Sequence, residues 1–275
     1  MEANLFQYDF IVKGLLGAIF ASITAGLAGS YVVSKRMVFL SGGITHASFG
    51  GIGIGYFIGI NPVVGAAVFG IMAALGVEYL SVKQKIREDS AIGILWAFGM
   101  AIGIIFIYLT PGYTPNLMSY LFGSILTVTN ADLIALGTMS LILILYFSIF
   151  YRTILYISFD EVFARTYSSY VNLFKYFTTS LIALTIVLNI RMAGVVLVIS
   201  LLTIPPNIAM LFTKIYFKIV LWSILAGFVG TATGYVISYF AGIPVGATII
   251  FTLVIIWVIS KGISQLLMKL SKRRK

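Results

Sequence analysis

Residues 219–260 form a run of 42 positions without a single Asp, Glu, Lys or Arg. About 20 predominantly apolar residues are enough to cross the ~30 Å hydrocarbon core of a bilayer. This one run therefore holds two crossings, divided near Gly242-Ile243-Pro244, where breakers cluster. The pattern recurs along the chain. Residues 14–34 are charge-free, as are 37–77, which break at Asn61-Pro62, and 90–131. Residues 133–151 form another span, and 176–190 and 192–213 flank Arg191 and read as a hairpin. Within 90–131 a helix runs to about residue 109, followed by the breakers Thr110-Pro111-Gly112-Tyr113-Thr114-Pro115. The next apolar piece, 116–129, is too short for a full crossing and reads as re-entrant, which is tolerated only where protein surrounds it.

Composition agrees. Sixty per cent of the 275 residues are hydrophobic and 9% are charged, against about a quarter charged in soluble domains. The wealth of aromatic and β-branched residues excludes disorder. The absence of cysteine excludes disulfides, iron–sulfur clusters and thiolate metal sites, and one histidine cannot build a multi-imidazole site within one copy. The expectation is an all-α, polytopic transmembrane helix bundle: a single domain over residues 1–275 with about nine spans (eight to ten). A re-entrant segment near 116–129 and a cytoplasmic helix near 158–168 complete it.

The distribution of basic residues sets the expected orientation. With nine spans, one side receives sixteen of the eighteen Lys and Arg residues, and the other receives only Lys13 and Arg191. The C-terminus is therefore expected in the cytoplasm and the N-terminus outside. The net charge of +10 serves anchoring at the lipid headgroups, and no nucleic-acid partner is expected from the basic tail. The first apolar stretch lacks the basic flank of a cleaved signal peptide, and neither end carries a lipidation motif.

Four features exceed what a plain apolar helix requires. Gly43, Ala47, Gly51, Gly55 and Gly59 recur every fourth residue and make a small-residue stripe for close helix packing. His46 lies well inside the same span, with Gly42 and Gly50 one turn away on either side. An ionisable group at that depth faces a bundle interior or a wet path. A neutral imidazole is also a common ligand for divalent transition metals; hydrogen-bonded glue between helices is the other reading. Pro205 and Pro206 remove two helical donors beside Thr203 and Asn207, which predicts either a broken helix lining a path or a simple kink. The fourth feature is the long polar connection 152–175. It holds Phe159, Asp160, Glu161 and Arg165 in a short amphipathic helix capped by Ser158 or Asp160, and its acidic residues point to a protein partner rather than to lipid.

Phosphate-binding loops, paired intramembrane carboxylates and nucleophile–base sets are missing from the sequence. The chain is not expected to be an enzyme. Nor does it offer the buried carboxylate of a proton-coupled transporter.

Several blocks taken in order resemble one family. They are Arg36-Met37-Val38-Phe39-Leu40 leading to Thr45-His46-Ala47, then Arg87-Glu88-Asp89-Ser90-Ala91-Ile92-Gly93-Ile94, then Tyr120-Leu121-Phe122-Gly123-Ser124-Ile125-Leu126 with Asp132. Phe159-Asp160-Glu161-Val162-Phe163-Ala164 follows, and Ala193-Gly194-Val195-Val196-Leu197-Val198 runs on to Pro205-Pro206-Asn207-Ile208-Ala209. The chain resembles, over essentially its whole length, the membrane permease subunits of zinc/manganese/iron-type ATP-binding-cassette importers. The resemblance implies a homodimer around a central path in a prokaryotic plasma membrane, cytoplasmic ATPase subunits, and an extracellular or periplasmic metal-binding protein. It implies no permanently bound cofactor and a divalent metal (Zn, Mn or Fe) as cargo. By that resemblance His46 and Thr45 line the metal path, and Phe159, Asp160, Glu161 and Arg165 couple to the ATPase. Related permeases often carry an acidic residue four positions before the histidine; here that position is Gly42. The lone imidazole tilts the expectation slightly to zinc. The alternatives are a nucleotide-independent secondary transporter or channel, and a permease of the same architecture for vitamin or siderophore cargo.

Overall fold

The computed structural model describes residues 9–112, 123 and 128–273. Among the described residues the chain forms ten helices: α1 (Asp9–Ser34), α2 (Val38–Ile58), α3 (Pro62–Val82), α4 (Glu88–Leu109), α5 (Asn130–Ile149), α6 (Tyr151–Phe159), α7 (Glu161–Tyr167), α8 (Val171–Met210), α9 (Tyr216–Ala241) and α10 (Val245–Arg273). Seven of these are long and apolar enough to cross a membrane. α2 is not among them, its hydropathy being diluted by glycine, though its 21 residues rise about 31 Å. The re-entrant reading of 116–129 falls largely outside the described residues.

α8 is two spans in one. Gly194 holds φ 77° and ψ 162°, a backbone region open essentially to glycine alone. Beyond it the chain turns back. Thr185, Ile186 and Asn189 line one small cavity together with Val198, Leu201 and Leu202; in a straight helix residues 185 and 202 would stand about 25 Å apart. This is the hairpin expected around Arg191, with its turn three residues later.

Of the two readings of Pro205-Pro206, a broken helix or a simple kink, the broken helix is not found. Both prolines are buried inside helical backbone that runs on to Met210. Pro206 cannot donate to the Leu202 carbonyl, and that oxygen instead faces α1, where a Cβ placed on Gly29 would lie 2.4 Å from it. Glycine in α1 lets the two backbones meet, so the freed carbonyl is packed against a neighbour and not left over a gap. Asn207 Nδ2 returns a bond to the Thr203 carbonyl at 2.7 Å, and Thr203 Oγ1 bonds back to Ile199 O at 2.8 Å.

α2 is wedged between α3 and α4 on two small-residue faces. Toward α4, Gly43 meets Ile92, Gly99 packs on the Ala47 backbone, and Gly53 meets the Gly103 carbonyl. Toward α3, Gly51 sits against the Gly65 carbonyl and Gly55 against Pro62. Gly59 departs from the expected stripe. A Cβ placed on it would meet nothing within 4 Å, and it closes α2 as a left-handed cap with φ 76°. Asn61 then caps α3 by accepting from Val63 N at 2.9 Å. The α2–α4 unit joins the rest through α8, whose long buried faces pack on α1, α9 and α10. Tyr31, Leu136, Met139, Leu143, Ile186, Leu197 and Leu201 lie in this core.

Candidate functional site

His46 sits near the middle of α2, half-buried, with its ring stacked on the indole of Trp96 from α4. Its Nδ1 is buried without a hydrogen-bond partner. No hydrogen bond to either ring nitrogen occurs among the described residues, so the helix-glue reading finds no bonded partner. Nε2 is the nitrogen that keeps access. A Cβ at Gly42 would meet only the edge of Trp96 at 3.8 Å and Ile199 at 3.9 Å. The indole thus lies beside Gly42.

Thr45 is not brought to this ring. It is 1% exposed, and its hydroxyl donates to the Ser41 carbonyl at 2.5 Å; neighbours at i and i+1 point about 100° apart on a helix and do not share a face. Among the described residues no group of three or more His, Asp or Glu side chains gathers. Among the described residues the site is therefore a single imidazole with one unbonded, open nitrogen beside an aromatic wall.

At the end opposite the basic rim Lys13 pairs with Asp9 at 2.6 Å, and a second ion pair ties the hairpin to α5. Arg191 at the hairpin tip reaches Asp132 at 3.2 Å, while Asp132 also closes a capping box with Thr129 at the start of α5. Gly123 fits against the Ala193–Gly194 backbone, where a Cβ would clash at 2.4 Å.

Comparison with known proteins settles the family. Residues 7–263 match the ABC 3 transport family. The chain belongs to that family. This permease is 39% identical over 92% of its length to an uncharacterized membrane protein of Synechocystis, covering 90% of that protein. It is 33% identical over 94% of its length, and 91% of the relative's, to the manganese transport system membrane protein MntC of Listeria monocytogenes. Its fold matches PsaBC from Streptococcus pneumoniae, solved in complex with a Fab, with a TM-score of 0.84 and 29% identity over 93% of this chain and 92% of that one. It is a multi-pass membrane permease of the metal importer type.

At the basic rim of this permease the predicted helix 158–168 resolves into two pieces. α6 ends at Phe159, because Ser158 Oγ bonds back to Ile154 O at 2.6 Å and continues that helix. Asp160, in extended conformation, starts α7 by accepting from Phe163 N at 2.9 Å; the cap is Asp160, not Ser158. Glu161 turns inward to three cations: Arg165 at 2.8 Å, Lys35 at 3.3 Å and Lys175 at 3.5 Å. Lys175 also pairs with Glu78 of α3. Burial opposes the charge on Glu161, yet Arg165, Lys175 and Lys35 outweigh it and hold its carboxyl at about 2, against an ordinary 4.5. At Lys35 burial prevails, and its ammonium is lowered despite the facing carboxylate. Outward, α6 and α7 present Phe159, Val162 and Phe163, which are 61%, 76% and 50% exposed, beside the exposed Arg152, Asp160 and Arg165.

Sequence reasoning missed Trp96, Glu78 and the role of Lys175. It also missed Asn189, buried in α8, whose amide bonds Thr24 of α1 at 3.1 Å and ties two spans together. No local signal marks any of them, since each matters only through a partner on another helix.

Proposed function

We propose that this chain forms the path of an ATP-driven divalent metal importer, working as a homodimer with ATP hydrolysis on separate cytoplasmic subunits. An external metal-binding protein delivers the cargo, and the basic, C-terminal side faces the cytoplasm. The observation that carries the reading is His46, whose one accessible nitrogen stands at mid-span with no protein partner. Two such rings across a dimer axis make a loose two-nitrogen contact completed by water, weak enough for an ion to leave. The expected tilt toward zinc rested on that imidazole alone. The relative named for manganese transport favours manganese, a metal that accepts oxygen-rich shells.

The ATPase seat is read as the exposed Phe159-Val162-Phe163 surface, because Asp160 is spent on its helix cap and Glu161 faces inward. Aromatic anchors in a docking pocket carry more binding energy than rim charges.

The test is reconstitution of the chain with its ATPase and binding protein in vesicles. His46→Ala should abolish most metal uptake while leaving complex assembly and basal hydrolysis intact. Unaltered uptake would remove His46 from the path. Concentrative uptake by the chain alone, without nucleotide, would establish the secondary-transporter alternative.

A further inference from the structure

Among the described residues, Glu161 is the one member of α7 that forms an ion pair beyond its own helix. It reaches Lys35, one residue past the end of α1, at 3.3 Å and Lys175 of α8 at 3.5 Å. Lys175 in turn pairs with Glu78 of α3, so a single ammonium joins α7 to α3. The side chains of Lys35, Glu78 and Lys175 are all mostly buried, unlike the exposed pair of Arg87 with Asp89.

Both ties of Glu161 lead to the unit of α2, α3 and α4. These three helices pack on one another and lean on α8, while α1 barely meets α2. The unit is stiff. A Cβ on Gly70 of α3 would lie 2.6 Å from Ser48 Oγ of α2, and Gly51 meets the Gly65 backbone. A displacement of α3 is therefore carried to α2, and with it to His46 and the stacked Trp96. The chain enters the unit through Lys35-Arg36-Met37, where Arg36 takes a left-handed φ of 60°. Glu161 thus holds the unit at its entry, through Lys35, and at its middle helix, through Lys175 and Glu78.

Packing does not make this connection. α7 rests chiefly on α6, with Ala164 in a small apolar cluster beside Ile157 and Val171, and shares little surface with α3. A buried ion pair is seldom better for stability than apolar residues of the same volume, and its best-attested use is to fix the register of parts or to switch it.

We infer that Lys175 and Glu78 are positioning residues for transport, which carry a displacement of α7 into the α2–α4 unit and so set the placement of His46. The inference rests on the reading of Phe159, Val162 and Phe163 as the ATPase seat.

The test measures Mn²⁺ uptake per ATP hydrolysed by the complex reconstituted with its ATPase and binding protein. Glu78→Gln leaves Lys175 paired with Glu161, so no charge is stranded. It should keep assembly and basal hydrolysis but lower uptake per ATP about five- to tenfold, toward the low end of coupling between separate sites. Lys175→Arg should retain most of the wild-type ratio, since a guanidinium keeps the charge and can hold carboxylates by its fork of donors. The combination of Glu78→Gln with Lys175→Gln should lose no more than Glu78→Gln does, because the two residues act in series.

The placement of the unit is read without the ATPase. The chain has no cysteine, so Lys83→Cys beside α3 and Lys214→Cys ahead of α9, both at exposed positions, accept spin labels. Labelled chains diluted with unlabelled ones report the distance between them in detergent. Glu161→Gln and Glu78→Gln should each shift or broaden its distribution. Wild-type uptake per ATP in Glu78→Gln, a further loss in the combined variant, or a distribution that ignores Glu161→Gln would overturn the inference. Loss of assembly in both Gln variants would do so too, leaving these charges a structural role alone. Normal ATPase binding after Phe159→Ala with Phe163→Ala would instead remove the seat, while a distance that still answers to Glu161→Gln would keep the tie.

Discussion

The indole of Trp96 lies flat on the imidazole of His46, with ring centroids 4.1 Å apart and planes 8° from parallel. The imidazole comes from α2 and the indole from α4, so the orientation of the only histidine is set by how these two helices pack. An aromatic stack contributes about 0.5–1.5 kcal/mol beyond the area it buries. Trp96→Ala should therefore lower metal uptake about two- to tenfold through loss of ring orientation, and Trp96→Phe should restore much of it. Uptake per reconstituted complex at constant ATPase activity checks this, and combining either change with His46→Ala should add nothing further.

Glycines on α2 and α4 should answer to contact and not to composition. A Cβ on Gly51 would stand 2.0 Å from the Gly65 carbonyl, a backbone atom that cannot rotate away. Gly51→Ala should cost about 1–3 kcal/mol by forcing α2 and α3 apart. Gly93, exposed on α4, where an added Cβ would meet nothing within 4 Å, should tolerate alanine, which gains about 0.5–1 kcal/mol from the lost flexibility of glycine in a helix. Thermal unfolding of the two variants in detergent should move in opposite directions.

Gly194 should accept no side chain. Its φ of 77° with ψ of 162° costs a non-glycine residue about 1–3 kcal/mol, and the strain falls on the hairpin that returns the second half of α8. Gly194→Ala should lower the unfolding midpoint and expose Arg191 and Asp132 to faster modification, read by mass spectrometry after labelling.

The Glu161 node should make α7 sensitive to acid. Its folded carboxyl is lowered from 4.5 to about 2, so its contribution to stability is fully present above 4.5 and is lost as pH falls through that interval toward 2. Hydrogen exchange of the α7 amides should accelerate over this window in the wild type. Glu161→Gln, which removes the charge at every pH, should exchange fast throughout and lose the pH dependence. An unchanged profile in that variant would place the acid sensitivity elsewhere.

Much of this architecture can be read without coordinates. Arg191 announces the tip of a hairpin, since a guanidinium is expelled from hydrocarbon whatever surrounds it, and the Asn61-Pro62 turn and the depth of His46 follow from the same local rule. Other readings failed because they needed a partner. Pro205 and Pro206 look like a break from their own helix, yet the freed Leu202 carbonyl is received by α1 at Gly29. Gly59 continues the spacing of the stripe but serves as a helix cap. Thr45 adjoins His46 in sequence and faces elsewhere.

Transfer into a bilayer is a property of each segment, so the residues alone determined that this chain spans a membrane about nine times, with its charges gathered on one rim and one imidazole held at depth. Which helix lies against which face is a property of pairs, because dispersion and backbone approach act only between surfaces already in contact. Tertiary structure alone therefore decided that Trp96 covers His46, that Glu161 turns toward Lys35 and Lys175, and that Phe159, Val162 and Phe163 stand exposed on α6 and α7.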